Sequence, residues 1–231
     1  MPSVEWRHDI DLPGEGRTVG FYDPALDLDR TQVPASLAGE RLLDVGCSDG
    51  GHSFLCEERG ASVLGIDDQS SPRNEGRNNF EYTKERIGAS AEYRQGRAAD
   101  LVAAGEPPFD RILHLNVLYH VEDLLGEART LHSLLKPGGV LHLKTKFLTD
   151  LPSRATSRVP LAAWLKQRPR IEFVESGIAG DPTCYFVPSA TALIALLRRG
   201  GFADVTLTAV HDDRAYVKAT AATADHTGSM S

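Results

Sequence analysis

The run most able to do chemistry in this chain is Leu42-Leu43-Asp44-Val45-Gly46-Cys47-Ser48-Asp49-Gly50-Gly51. An apolar strand enters a turn of small residues and a helix leaves it, so backbone N–H groups and a helix N-terminus converge on a ligand. Asp67 closes the next apolar run, Ser62 to Asp67. A carboxylate there can accept hydrogen bonds from both hydroxyls of a ribose. Further on, Leu118-Tyr119-His120 follows the apolar run Phe109 to Leu115. His120, an imidazole with a near-neutral pKa, is a candidate general base for a nucleophile that must lose a proton. The plainer alternative is that it caps the helix beginning near Val121 or packs on Tyr119. His114 and His142 lie within strand-like runs and are expected to be buried and hydrogen-bonded.

Three chemistries compete for the glycine turn. A dinucleotide site needs G-x-G-x-x-G, and Ser48 stands where the second glycine would admit a pyrophosphate. Gly46-Cys47-Ser48-Asp49-Gly50 matches G-x-S-x-G, but a nucleophile elbow follows several strands and an oxyanion loop, and no H-G-G precedes this turn. S-adenosylmethionine fits best. It is cationic at its sulfonium and amino groups and carries no phosphate, so Asp44 suits it and would repel a pyrophosphate. A turn that only packs is the remaining possibility. Neither H-E-x-x-H nor a Cys/His cluster occurs, so no metal is expected.

Charge is unevenly spread. Lys144, Lys146, Arg154, Arg158, Lys166, Arg168 and Arg170 fall in one window with Asp150 as its only acid, in a chain of net charge −7. Lys144 and Lys146 alternate out of a strand end, so both are expected to face the cleft and an anionic acceptor bearing carboxylate, phosphate or sulfate. A solvated basic surface is the alternative. The negative total argues against a protein that coats nucleic acid over its whole surface. No stretch of eighteen apolar residues occurs, Met1 to Leu12 lacks a secretory core, and the three cysteines, Cys47, Cys56 and Cys184, form no C-x-x-C. A reduced, cytoplasmic protein with no membrane partner is expected. The oligomeric state is not legible.

The elements that must position these residues alternate. Strands are predicted at Arg41–Val45, Ser62–Asp67, Glu92–Gln95, Phe109–Leu115 and Val140–Lys144. Helices are predicted over about 51–59, 80–87, 121–135 and 190–199. Lys136-Pro137-Gly138-Gly139 stops the third of these and Gly200-Gly201 the fourth. Two closing strands, 204–210 and 215–219, form a hairpin. The pattern is α/β, a parallel sheet flanked by helices. With 231 residues, 41% of them hydrophobic, it is one domain with a sizeable core. Residues 1–38 read as an N-terminal lid and 39–219 as the main domain. Pro152, Pro160, Pro169 and Pro182 mark 147–188 as an insertion, and 220–231 reads as a disordered tail.

DVGCSDG, VLGIDD, FDRILHLNVLYHVED and LLKPGGVLHL, in this order and spacing, resemble the class I S-adenosylmethionine-dependent methyltransferases over about Gly39 to Ala219. The resemblance implies a Rossmann-like, seven-stranded, mostly parallel sheet with its last strand antiparallel. It implies that Asp44, Gly46, Cys47, Ser48 and Gly50 cradle the methionine part, that Asp67 holds the ribose with Asp68 beside the adenine, and that Leu115, Asn116 and Tyr119 line the cofactor. Many relatives carry Gly-Asp where this chain has Gly96-Arg97, so Asp100 or backbone near Ala98 must substitute.

Trp6 to Pro13, Thr18 to Asp23, Leu118 to His120 and Asp181 to Pro188 further resemble the tRNA wobble-uridine 5-carboxymethyltransferase-like group, which includes small-molecule relatives. Phe21 and Tyr22 are then expected over the site. The aromatic pair Tyr185-Phe186 reads either as closing over the substrate or as core packing. The implied activity is methyl transfer to a small anionic metabolite of specialised metabolism, with S-adenosylhomocysteine as product. Alternatives are tRNA modification, a non-methylating reaction assisted by the sulfonium such as cyclisation or elimination, and a partner subunit that only binds the cofactor.

Overall fold

Arg41–Val45 (β3) carries apolar side chains toward both faces, which obliges it to lie in the middle of a covered sheet. In the computed structural model, which describes residues 5–69, 76–148, 168–178 and 181–223, it does. The elements before it are β1 (Asp11–Leu12), β2 (Gly16–Arg17) and α1 (Pro24–Arg30). After it come α2 (Gly51–Glu58), β4 (Ser62–Asp67), α3 (Gly76–Ile87), β5 (Glu92–Gln95), α4 (Ala98–Ala103) and β6 (Phe109–Leu115). A 3-10 turn at Leu118–His120 leads to α5 (Leu124–Ser133), β7 (Leu135–Lys146), β8 (Ile171–Phe173), β9 (Phe186–Pro188), α6 (Ala190–Gly200), β10 (Phe202–His211) and β11 (Arg214–Ala221).

The main sheet runs β10-β11-β7-β6-β3-β4-β5. The five strands from β7 to β5 are mutually parallel, and β11 is antiparallel to both β7 and β10. The seven-stranded, mostly parallel fold expected from the sequence is therefore present, with its last strand antiparallel. Strand order reverses between β3 and β6, and open α/β sheets bind their ligands at the carboxyl ends of strands at such a switch point. Leu43, Val45, Ile112, Leu141 and Leu143 join one apolar cluster with α5 and α6. Leu42, Val63, Leu113, Phe54 and Phe80 build the other, beneath α2 and α3.

Several boundaries differ from the sequence reading. The long helix predicted from Val121 starts at Leu124, because Leu118–His120 forms its own 3-10 turn. Lys136-Pro137-Gly138-Gly139 bulges within β7, and the register with β6 shifts between Phe109 and Arg111. The last strand continues to Ala221, so the tail does not begin at Thr220: Thr220 pairs with Val140 and Ala221 with Phe202. The sequence reading also lacked α4, α1 and the β1–β2 hairpin. Yet Asp23-Pro24 is a legible helix start, since the Asp23 carboxylate accepts the Ala25 N–H at 2.9 Å and proline suits the first turn.

The N-terminal segment packs closely on the domain. Trp6, Ile10 and Leu12 are buried against Tyr82 and Ile87 of α3. A Cβ on Gly20 would come within 2.4 Å of the His8 carbonyl carbon, so only glycine lets these two stretches meet. Within the insertion, β8 and β9 pair antiparallel, and residues 149–167, with Arg154, Arg158 and Lys166, lie outside the described part. Among the described residues no helix is long and apolar enough to cross a membrane.

Candidate active site

The loop after β3 is set by conformations that ordinary residues resist. Gly46 sits at φ 72°, and a Cβ there would strike Val117 Cγ2 at 2.4 Å. The Gly46 and Cys47 N–H groups donate to the Ile66 carbonyl at 2.8 and 3.1 Å. The Ser48 N–H donates to Asp67 Oδ2 at 3.1 Å, and Gln69 N–H to Oδ1 at 2.7 Å. Gly50, also left-handed, opens α2. Cys47 contributes only backbone to this loop: its side chain is in the core against Gly65, and burial pushes the thiol well up.

Asp44 is buried at the strand end and accepts the Ser53 hydroxyl at 2.7 Å. Burial, together with the Asp67 and Asp49 carboxylates, lifts it to about 6 against the pull of Ser53 and His8. On the neighbouring strand, Leu115 ends β6 buried and Asn116 takes φ 63°. Ser48 Oγ and Asn116 Oδ1 are buried without a hydrogen-bond partner among the described residues. Buried polar atoms are rarely left so, and two of them just beyond β3 and β6 suit a polar ligand at this switch point.

Asp49, part of the glycine turn but given no role from sequence, closes this loop to the N-terminal segment. Its buried carboxylate accepts the Arg7 and His8 N–H groups at 2.7 and 3.0 Å and pairs with His8 Nδ1. Burial opposes charge on His8, but Asp49 outweighs it and raises the imidazole above its usual range. His52 stands edge-on to His8 at 4.3 Å and is pushed down to about 4 by burial and the neighbouring charge.

The expectation that Lys144 faces an anionic acceptor is overturned. Its ammonium is only 3% exposed and lies 2.8 Å from both oxygens of Asp27, over the Tyr22 ring at 4.2 Å. Asp27 also receives His52 Nε2 at 3.3 Å and the Tyr216 hydroxyl at 3.3 Å. Although burial opposes ionisation, His52 and Lys144 hold this carboxyl well below its usual range. Lys144 is thus a buried counter-ion that ties α1 to β7.

Lys146 behaves differently. It and Arg214, its register partner on β11, share one carboxylate, that of Asp213, each at 2.9 Å. Both cations flank the buried Tyr119 ring, at 5.9 and 5.5 Å from its centre. Arg214 Nε has no hydrogen-bond partner among the described residues. Asp181 acts on the same Cys184 thiol as both cations, so here two cations face two carboxylates, Asp213 and Asp181. Arg214 escaped the sequence reading because it lies on the last hairpin, outside the basic window.

His120 stands beside Tyr119 with ring centres 4.4 Å apart, half-buried, its Nδ1 at 2.9 Å from Thr183 Oγ1 and 3.1 Å from the Thr183 carbonyl oxygen. Burial, chiefly, lowers its pKa. The segment before β9 is hung on this turn by the Tyr185 N–H, which donates to the Tyr119 carbonyl at 2.7 Å. Tyr22 is half-buried in the N-terminal segment, while Phe21 is 56% exposed with the Arg7 guanidinium 5.9 Å from its ring. His114 and His142 are buried, paired with Glu127 at 3.1 Å and with the Thr31 carbonyl at 2.8 Å.

Beyond β4, the departure at Gly96-Arg97 has a structural counterpart. Arg97 Nε donates to Asp68 Oδ2 at 2.8 Å, and Asp100 accepts the Arg97 N–H at 2.8 Å as a cap on α4, which begins at buried Ala98. Asp100 is thereby tied to its own helix, and Asp68 to Arg97.

A family model described as a methyltransferase domain matches residues 21–207. Among curated proteins, a ubiquinone biosynthesis O-methyltransferase of Cereibacter sphaeroides is 36% identical over 142 residues, 61% of this chain and 55% of that protein. The enzyme of the same name from Pseudomonas aeruginosa is 37% identical over 111 residues, 48% of this chain and 46% of its own. The chain spans about half the length of the curated relatives it matches. Among solved structures, the N-terminal domain of EvdMO1, in the presence of SAH and D-fucose, aligns over 94% of this chain and 91% of its own with TM-score 0.66 and 20% identity. At these identities the structural match speaks for the fold. By name the curated relatives act in ubiquinone biosynthesis, so the closer tie to the tRNA wobble-uridine group gains no support from them.

Proposed function

Because the chain belongs to this family of methyltransferase domains, we propose that it is an S-adenosylmethionine-dependent O-methyltransferase acting on a small anionic acceptor. The observation that carries the reading is the set of polar groups at the switch point where β3 and β6 end. Asp44 lies one residue from the end of β3 and Asp67 ends β4, while Ser48 Oγ in the glycine turn and Asn116 Oδ1 after β6 have no hydrogen-bond partner among the described residues.

In this reading the bound cofactor supplies an activated methyl group whose departure leaves a neutral thioether. Asp44 and the Gly46–Gly50 backbone hold its cationic amino-acid end, Asp67 its ribose, and Asp68 with the Ala98 backbone its adenine edge. Leu115, Asn116 and Tyr119 floor the site. The N-terminal segment, with Phe21 and Tyr22, covers it as a lid, and the insertion, with Tyr185, covers the acceptor. His120 takes the acceptor's hydroxyl proton. Alignment of donor and acceptor supplies much of the acceleration, so the chain's main task is to position. Lys146 and Arg214 hold the acceptor's anionic group. A biosynthetic, cytoplasmic role in specialised metabolism completes the proposal.

Native mass spectrometry of the wild type beside Asp67→Ala tests the cofactor assignment. A nucleoside adduct lost in the variant supports it, and no adduct even with excess S-adenosylmethionine overturns it. For the acceptor, Arg214→Met is expected to raise KM for a carboxylate-bearing phenol about tenfold and to leave its methyl ester almost unchanged. Equal effects on acid and ester would remove the anion-holding role.

A further inference from the structure

The contacts of His120 contain more than a base and its neighbours. Thr183 Oγ1 lies 2.6 Å from Asp181 Oδ1, and the Thr183 N–H donates to the same oxygen at 2.9 Å. Asp181 is held below its usual range by these two bonds, against its own partial burial, so it is an ionised, acceptor-only group. The Thr183 hydroxyl hydrogen must therefore point at Asp181, which leaves its lone pairs toward His120. At the other end, Nδ1 faces both that hydroxyl oxygen and the Thr183 carbonyl oxygen, and a carbonyl can only accept. Every bond in the chain then runs one way, from Nδ1–H to Thr183 and from Thr183 O–H to Asp181.

We infer that Thr183 and Asp181 are positioning residues that fix the proton of His120 on Nδ1 and leave the Nε2 lone pair free to receive a proton from the acceptor. The inference rests on the reading of His120 as the base. Two backbone bonds lock the segment in register with the ring: Tyr185 N–H to the Tyr119 carbonyl at 2.7 Å, and Val174 N–H to the Tyr185 carbonyl at 2.8 Å. Burial keeps the ring neutral in the resting state, while the Asp181 carboxylate favours the imidazolium as it forms. In the reaction the acceptor O–H proton passes to Nε2 as its oxygen bonds to the methyl carbon. The C–S electron pair stays on sulfur, and the imidazolium later yields its proton to water.

His120, Asp181 and Cys184 also bring ligand atoms within 4.8 Å of one another, a set that suits a metal by element. The ring atom nearest the thiol is Nδ1, which in the inferred tautomer carries a proton. Cys184 Sγ is 3.9 Å from it, and burial pushes its thiol up, away from the thiolate a metal needs. The hydrogen-bond chain through Thr183 accounts for the placement of His120 and Asp181 without a metal.

Long-range 1H–15N spectra of the ligand-free full chain with 15N-labelled histidine, assigned by loss of one ring in His120→Gln, read the tautomer without any turnover. The expected result is Nδ1–H with an unprotonated Nε2 at neutral pH. In Thr183→Val only the 3.1 Å carbonyl contact is left to hold the Nδ1 proton, so the Nδ1–H population is expected to fall though not to vanish, the imidazole pKa to fall, and kcat to drop about tenfold, a fraction of what a general base supplies. KM for S-adenosylmethionine should hold, and Thr183→Ser should restore all three. A wild-type ring with the proton on Nε2, no response to Thr183→Val, or one-to-one perturbation of His120 by added Zn2+ would each overturn the inference. A protein without methyl transfer but with the expected tautomer would instead refute the proposed function alone.

Discussion

Replacing Lys144 separates a structural ion pair from a substrate contact. Lys144→Met keeps the aliphatic stem and removes the ammonium that sits 2.8 Å from both Asp27 oxygens, at a site where both side chains are almost wholly buried. Asp27 is then left with His52 and Tyr216 at 3.3 Å each. Removing one partner of a buried pair costs about 3–5 kcal/mol, because the other charge remains desolvated and uncompensated. For a chain of this size each kcal/mol shifts Tm by about 2–4 °C, so a fall of about 6–20 °C is expected by scanning calorimetry. Asp27→Leu combined with Lys144→Met should recover part of that loss, since an apolar pair in place of a buried ion pair is often neutral while His52 Nε2 and the Tyr216 hydroxyl lose their Asp27 acceptor. Measured well below the variant's Tm, the acceptor KM should equal that of the wild type. A Lys144→Met protein with unchanged Tm and a many-fold higher KM would refute this reasoning and return Lys144 to the acceptor site.

Three further outcomes follow from the same geometry. Asp44, lifted to about 6, must ionise to hold a cation, so calorimetric affinity for S-adenosylmethionine should be about tenfold weaker at pH 5 than at pH 8, and flat across that range in Asp44→Asn. Without ligand the sign reverses, because the folded state holds this proton more tightly and Asp44 costs stability as pH rises from its ordinary range through about 6. His8, raised above its usual range by Asp49, with Asp44, Asp27 and His52 also facing it, stabilises the N-terminal segment fully below about 6.5 and loses that contribution as pH climbs through the raised value. Hydrogen exchange at Trp6 to Leu12 should therefore quicken toward pH 9, and should quicken at every pH in His8→Gln. Gly46→Ala should cost about 1–2 kcal/mol from its left-handed backbone alone, plus the clash with Val117. Adding Val117→Ala should relieve only the second part in denaturant titrations.

The sheet, the glycine turn and the acids Asp44 and Asp67 near the ends of β3 and β4 are legible in the chain alone. Those features follow from local periodicity and from the conformations a tight turn permits, so a run of ten residues carries them. The errors of the sequence reading were also local: the 3-10 turn at Leu118–His120 and the bulge at Lys136–Gly139 both sit where a helix or strand was drawn too simply. Where the charges went is set by contacts between segments far apart in the chain. Lys144 meets Asp27 across 117 positions, His8 meets Asp49 across 41, and His120 meets Thr183 across 63. A buried ion or imidazole takes its protonation and its role from whichever group lies within about 3 Å of it, because burial removes the water that would otherwise make neighbours irrelevant. That neighbour is chosen by the packing of whole elements, and the residues beside it in the chain do not name it.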